Sequence, residues 1–275
     1  MGLRFIRIGR IFYGLAMVVY GIQQFIYGDF RNVLFPPWQN RLPWLPLWAY
    51  LFGIYLIASG VSIFINKNAR NASLLLGGVL LSFLCFLQVP YELISEPNKS
   101  FHLGLWVSAL KELALAGGAF VIAGTVPAEN GSWPGNSLVI NNLSKVIPYG
   151  SIFFSVTITS FGIAHFLYAE NVATLVPVWI PDHLFWTYFA GVALIGAGVF
   201  IILNIKLRII ALLLGVMIFL WFVSLHLPAA WKDPSVDRGN NLSSAFDALA
   251  FSGTAFAIAF GLKTQKWIDD IEQAV

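Results

Sequence analysis

The chain alternates long apolar runs with short polar breaks. Eight runs stand out, at 8–27, 47–65, 72–89, 103–124, 147–168, 184–203, 207–227 and 242–262, the third being the shortest. At 1.5 Å of rise per residue, about 20 apolar residues in a helix cross the hydrocarbon layer of a bilayer. The pattern therefore predicts an all-α membrane protein with eight transmembrane helices. The first run follows Arg4, Arg7 and Arg10, as a signal peptide's would. It is aromatic-rich, however, and no small-residue cleavage site follows it, so it is expected to stay as the first span.

The runs fall into two related sets of four. Gly21, Phe25, Pro36 and Trp38 match Gly162, Phe166, Pro177 and Trp179 at a constant offset. After a short gap, Trp48, Tyr50, Gly53, Gly60, Arg70 and Gly77 match Trp186, Tyr188, Gly191, Gly198, Arg208 and Gly215. Leu87 and Pro90 then match Leu225 and Pro228, and Ser108, Leu113, Gly117 and Ala119 match Ser244, Leu249, Gly253 and Ala255. The expectation is two parallel four-helix repeats, 1–126 and 145–275, joined by a Gly-, Pro- and Asn-rich linker at 127–144. An even number of spans per repeat inserts both the same way up, related by an axis along the membrane normal. The glycines within spans read as sites of close helix packing.

Composition agrees with a lipid environment. Hydrophobic residues make up 58% of the chain, charged residues 11%, and mean hydropathy is +0.77. A soluble domain carries about 25% charged residues, enough to cover a wet surface. The net charge of +3 does not point to nucleic acid, because Lys and Arg sit at the ends of apolar runs. Arg4, Arg7, Arg10, Lys67, Arg70, Lys145, Lys206, Arg208, Lys263 and Lys266 fall on one side, which the positive-inside rule makes cytoplasmic, with both termini. The expected location is a cell inner or plasma membrane. The opposite connections are longer and rich in Trp, Pro and acids. The single cysteine, Cys85, lies in an apolar run and reads as a small core hydrophobe.

The second half resembles DoxX-like membrane proteins, whose unit is a four-helix membrane domain. The matching residues are Gly162-Ile163-Ala164-His165-Phe166, Pro177-Val178-Trp179-Ile180-Pro181, Tyr188-Phe189-Ala190-Gly191-Val192-Ala193, the turn at Lys206 and Arg208, His226, and Ala248 to Gly253. The resemblance is weaker over the first half. The related DoxD proteins are associated with a thiosulfate:quinone oxidoreductase and the wider group with redox complexes. The resemblance thus implies a membrane subunit linked to redox or quinone chemistry, working with a redox partner protein.

Ionisable side chains inside a bilayer cost at least about 2.5 kcal/mol each, so they point to function. In the second half these are His165, His226 and Asp247, all expected near the outer end of their spans, with Glu170 and Ser243 near the mouth of a shared pocket. Two imidazoles and a carboxylate can relay protons to a quinone, ligate a metal or haem iron, line a transport site, or hold helices together as a hydrogen-bond cluster. The corresponding first-half positions are Gln24 and Gln88, with Lys111 aligned to Asp247 and Glu112 beside it. Lys111 either reaches Asp247 across the twofold axis or snorkels outward while Glu112 finds another partner. A transporter of a small molecule or ion and a membrane scaffold for a partner protein are the alternative functions. No Walker loop, dinucleotide-binding fingerprint, HExxH or serine triad is present.

Overall fold

The computed structural model describes residues 2–37, 42–95, 97–99, 101–128 and 138–272, with side chains through Gly261. Trp38, Arg41, Glu96, most of the linker, and the side chains of Lys263 and Lys266 lie outside that set. All regular structure among the described residues is helical, and eight helices are long and apolar enough to cross a membrane. They are α1 (Gly2–Tyr27), α2 (Leu45–Ile65), α3 (Ala69–Ser95), α4 (Leu103–Gly124), α5 (Leu138–Leu167), α6 (His183–Ile202), α7 (Leu207–Lys232) and α8 (Asn240–Glu272).

Four helices form the centre. α1 packs on α8, α4 on α5, and α8 also on α4, while α2 with α3 and α6 with α7 stand outside. In the spanning part of α8, 83% of residues are buried, against 22% for α7. Small residues allow this enclosure. Ala245, Ala248, Ala250, Ala255, Ala257 and Ala259 are all buried on α8. In lipid, helices associate through close van der Waals packing, which such residues permit. Backbones also touch at glycine pairs. A methyl group added to Gly9 would stand 2.5 Å from the Gly253 carbonyl, and one on Gly117 2.6 Å from that of Gly150. Gly21 meets Gly53 and Gly162 meets Gly191 in the same way. Gly196 is the exception to the packing expectation: nothing lies within 4 Å of its added methyl, because it borders a cavity.

Several helices outrun the apolar pattern. α1 begins at Gly2, since Arg4, Arg7 and Arg10 are good helix formers with heads able to reach polar surroundings. The segment read as linker contains helix at Leu138–Ser144, which forms the start of α5. α3 and α7 do not stop before Pro90 and Pro228. Proline lacks an N–H and its ring clashes with the carbonyl four residues back. Here each helix widens into one π turn, Leu84–Gln88 and Phe222–His226, and continues. The N–H of Val89 bonds to the Leu84 carbonyl, and that of Leu227 to the Phe222 carbonyl, five residues back. The extra residue turns the following side chains by about 100° relative to the run before it.

Cys85 departs from its expected place. Its neighbour Leu84 takes the buried face of α3, and Cys85 is an exposed free thiol on the outer surface. At the end of the bundle where α1 starts, Arg70 caps α4 by donating to the carbonyls of Ala123 (3.1 Å) and Val126 (2.9 Å). At the opposite end, buried Asp29 and Arg31 clasp the turn before α8. Arg238 pairs with Asp29, Arg31 donates to the Arg238 carbonyl, and Gln23 Nε2 donates to the Gly239 carbonyl at 3.0 Å. Gly239 has φ +81°, which lets the chain turn there against Tyr27 and Gln23.

Candidate functional site

A cavity of about 1040 Å³ runs between α6 and α7, floored by α5 and α8. Its walls are mostly apolar and include Ile158, Leu194, Phe200, Leu214, Met217 and Phe251. Polar groups gather within about two turns of the far ends of the helices: Lys111, His165, Tyr168, Thr187, Ser224, His226, Ser244 and Asp247. The site is thus a long oily slot with a polar head.

Small residues on α6 open the slot. Ala190, Ala193, Gly196 and Ala197 face it. At the spacing that relates Trp48 to Trp186, Ala190 and Ala193 correspond to Phe52 and Tyr55 of α2. There the gap between α2 and α3 is closed by aromatic rings. Phe52 lies 5.2 Å from Phe83 and 5.9 Å from Phe30, and Phe30 stacks on Phe35 at 4.4 Å between centroids. Rings thus fill the space between α2 and α3, whereas a cavity lies between α6 and α7.

The polar head is electrically balanced. Lys111 Nζ stands 2.9 Å from Asp247 Oδ2, off the direction of a good hydrogen bond but close enough for an ion pair. The Tyr20 hydroxyl, buried on α1, donates to Asp247 Oδ1. His165 Nδ1 lies 2.7 Å from the Phe161 carbonyl. A carbonyl can only accept, so Nδ1 carries a proton, and in the neutral form of the ring Nε2 is an acceptor. Trp221 lies against that imidazole, 6.3 Å between centroids. His226, the last residue of the π turn, is within electrostatic reach of Lys111 and Asp247. A smaller pocket of about 420 Å³, lined by Trp179, Ile180, Pro181, Trp186 and Trp221, shares three of these walls with the slot.

His165, His226, Asp247 and Lys111 thus border one cavity. Glu170 is exposed on the short helix Ala169–Ala173, and the nearby lining residue is Tyr168, whose hydroxyl lies 3.2 Å from the Gly104 amide. Ser243 is buried away from the slot, donating to Gln23 Oε1 at 3.2 Å, while Ser244, one step round the helix, lines it. Gln24, Gln88 and Glu112 are buried in the first half, outside the slot. Among the described residues no three His, Cys, Asp or Glu side chains come together as metal ligands. Asp247 is held by Lys111 and Tyr20, not by an imidazole, so it does not orient either ring. Tyr20 was not legible as a site residue, since one tyrosine in an apolar helix carries no distinguishing signal. No protein-family model, curated protein or solved structure matches the chain.

Proposed function

We propose that this multi-pass membrane protein binds an amphipathic redox lipid of the quinone class in the slot between α6 and α7, as a DoxX-like subunit that serves a redox partner protein. The observation that carries the reading is the pairing of a long apolar slot, lined along α6 from Thr187 to Phe200 or ~20 Å of helix, with a polar head at one end only. An isoprenoid tail suits the walls, and the volume of about 1040 Å³ is at the top of the ~300–1,000 Å³ typical of small-molecule pockets. A quinone carbonyl accepts hydrogen bonds, and Lys111 has ammonium hydrogens left after Asp247 takes one side. The ring neighbourhood of His165 and Trp221 suits a planar head. Quinone reduction consumes protons with the electrons, and His165 and His226 are groups able to pass them. Electrons come from the partner.

The same proposal includes two copies of one four-helix unit, the first having lost its cavity. It is supported by the π turns before Pro90 and Pro228 and by the glycine contacts Gly21–Gly53 and Gly162–Gly191. It also places both termini in the cytoplasm, on the count of basic residues at that end. The test is mass spectrometry of lipid extracted from protein purified in mild detergent. Quinone enriched over bulk lipid, and lost in a folded His226→Ala variant, is expected. Equal quinone in both, or none above bulk, rejects the reading.

A further inference from the structure

Glu112 follows Lys111 in sequence but faces elsewhere, and the slot makes no use of it. Its side chain is 0% exposed, and neither carboxyl oxygen has a hydrogen-bond partner among the described residues. It continues the stripe of Ala116 and Phe120 on α4, and Phe120 meets Gly77 of α3. Glu112 therefore looks at α3, whose buried stripe runs through Gly77, Leu80, Leu84 and Gln88. Gln24 continues the α1 stripe of Tyr13 and Tyr20, and the Tyr13 hydroxyl bonds the Leu115 carbonyl of α4 at 2.6 Å.

Depth agrees as well as direction. Glu112 is eight residues beyond Phe120, about 12 Å along α4, and Gln88 is eleven beyond Gly77, about 16 Å along α3 in the same sense. Helical side chains lean toward their own N-terminus. Since α4 runs against α3, Glu112 leans toward Gln88 and Gln88 leans toward it, while Gln24 lies farther toward the same end on α1, its side chain leaning back down.

The unpaired atoms there are Glu112 Oε1 and Oε2, Gln24 Oε1 and Nε2, and Gln88 Oε1: four acceptors against one donor. Gln88 Nε2 is already given to Glu92 Oε1 at 2.8 Å. Buried polar atoms in folded proteins are paired, and an acceptor surplus around a carboxylate calls for a positive guest. Among the described residues no ion pair to Glu112 is found: Lys111 is turned to Asp247 and the slot, on another face of α4, and the Tyr20 hydroxyl is given to Asp247. We propose that Glu112, Gln24 and Gln88 form an enclosed binding site for a small monovalent cation, sodium or a proton, in the first half of the bundle. Oxygen-only coordination suits a hard cation. Glu92, one turn above, adds a second carboxylate to the same side.

The two guests are told apart on the purified full chain in mild detergent. With sodium chloride replacing N-methyl-D-glucamine chloride at fixed ionic strength, a sodium site raises Tm by about 2–4 °C, and Glu112→Gln or Gln88→Leu abolishes the rise. A proton site gives no sodium response. Instead the infrared spectrum shows the carbonyl stretch of a protonated buried carboxyl, which Glu112→Gln removes and Glu112→Asp shifts. Should Glu112→Gln not fold, Gln88→Leu carries the sodium arm and Glu112→Asp the infrared arm. Absence of both signals, or a sodium rise unchanged in the variants, overturns the site. Neither arm reads the ligand of the slot, so the two proposals stand or fall separately.

Discussion

Lys111 of α4 and Asp247 of α8 form an ion pair at 2.9 Å between residues from opposite halves of the chain. Removing one member strands the other charge away from water. Lys111→Met or Asp247→Leu alone is expected to destabilise the protein by about 3–5 kcal/mol, whereas the double variant recovers most of that loss. Thermal unfolding of the four proteins in one detergent measures the cycle. Additive single effects would mean that the pair is not coupled.

Tyr20→Phe keeps the ring and removes only the hydroxyl that donates to Asp247. A cost of about 1–3 kcal/mol is expected, because a buried carboxylate oxygen loses its donor. The same substitution in the Asp247→Leu background should cost almost nothing, which denaturant or heat melts of both backgrounds will show.

The slot owes its width to Ala190 and Ala193, where the corresponding α2 residues are Phe52 and Tyr55. Ala190→Phe should therefore exclude a bound lipid at least about tenfold, or about 1.4 kcal/mol, while Tm is held or raised. Lipid-extract mass spectrometry and a melt on the same sample separate this outcome from misfolding. The reverse change, Phe52→Ala, should cost about 3–5 kcal/mol by dismantling the ring cluster with Phe30 and Phe83.

Pro228→Ala restores an N–H to α7 and removes the cause of the π turn at Phe222–His226. The helix should relax toward ordinary α geometry, turning His226 away from the slot. Loss of ligand with secondary structure intact, by circular dichroism and extraction, is the expected result. Unchanged ligand retention would show that the turn does not depend on the proline.

The eight spans could be read directly, because a bilayer demands long apolar runs and little else. Less could be read where a local rule meets a neighbour. The apolar runs 72–89 and 207–227 stop just short of Pro90 and Pro228, but a π turn absorbs the clash at each and the helices run on to Ser95 and Lys232. Cys85 read as core because apolar runs on a lipid-facing helix have no polar face to mark the outside. The slot residues His165, His226 and Asp247 were legible as costly groups in lipid. Of the partners of Asp247, Lys111 was one of two readings the sequence offered, and the ion pair selects it; Tyr20 depends on how α1 and α8 cross, which pattern alone does not fix. For the same reason the sequence points to Ser243 at the pocket mouth, whereas Ser244, about 100° round the helix, lines the slot.

The burial of α8 has a consequence for biogenesis. The most enclosed helix is also the last of the eight to leave the ribosome, so the seven before it cannot close the bundle without it. Until it docks, Lys111 and Tyr20 lack their carboxylate, and the alanine-lined seat between α1 and α4 has only lipid to fill it. Assembly is therefore committed only once the eighth span is made, when a single docking event seals the core and assembles the polar head of the slot together.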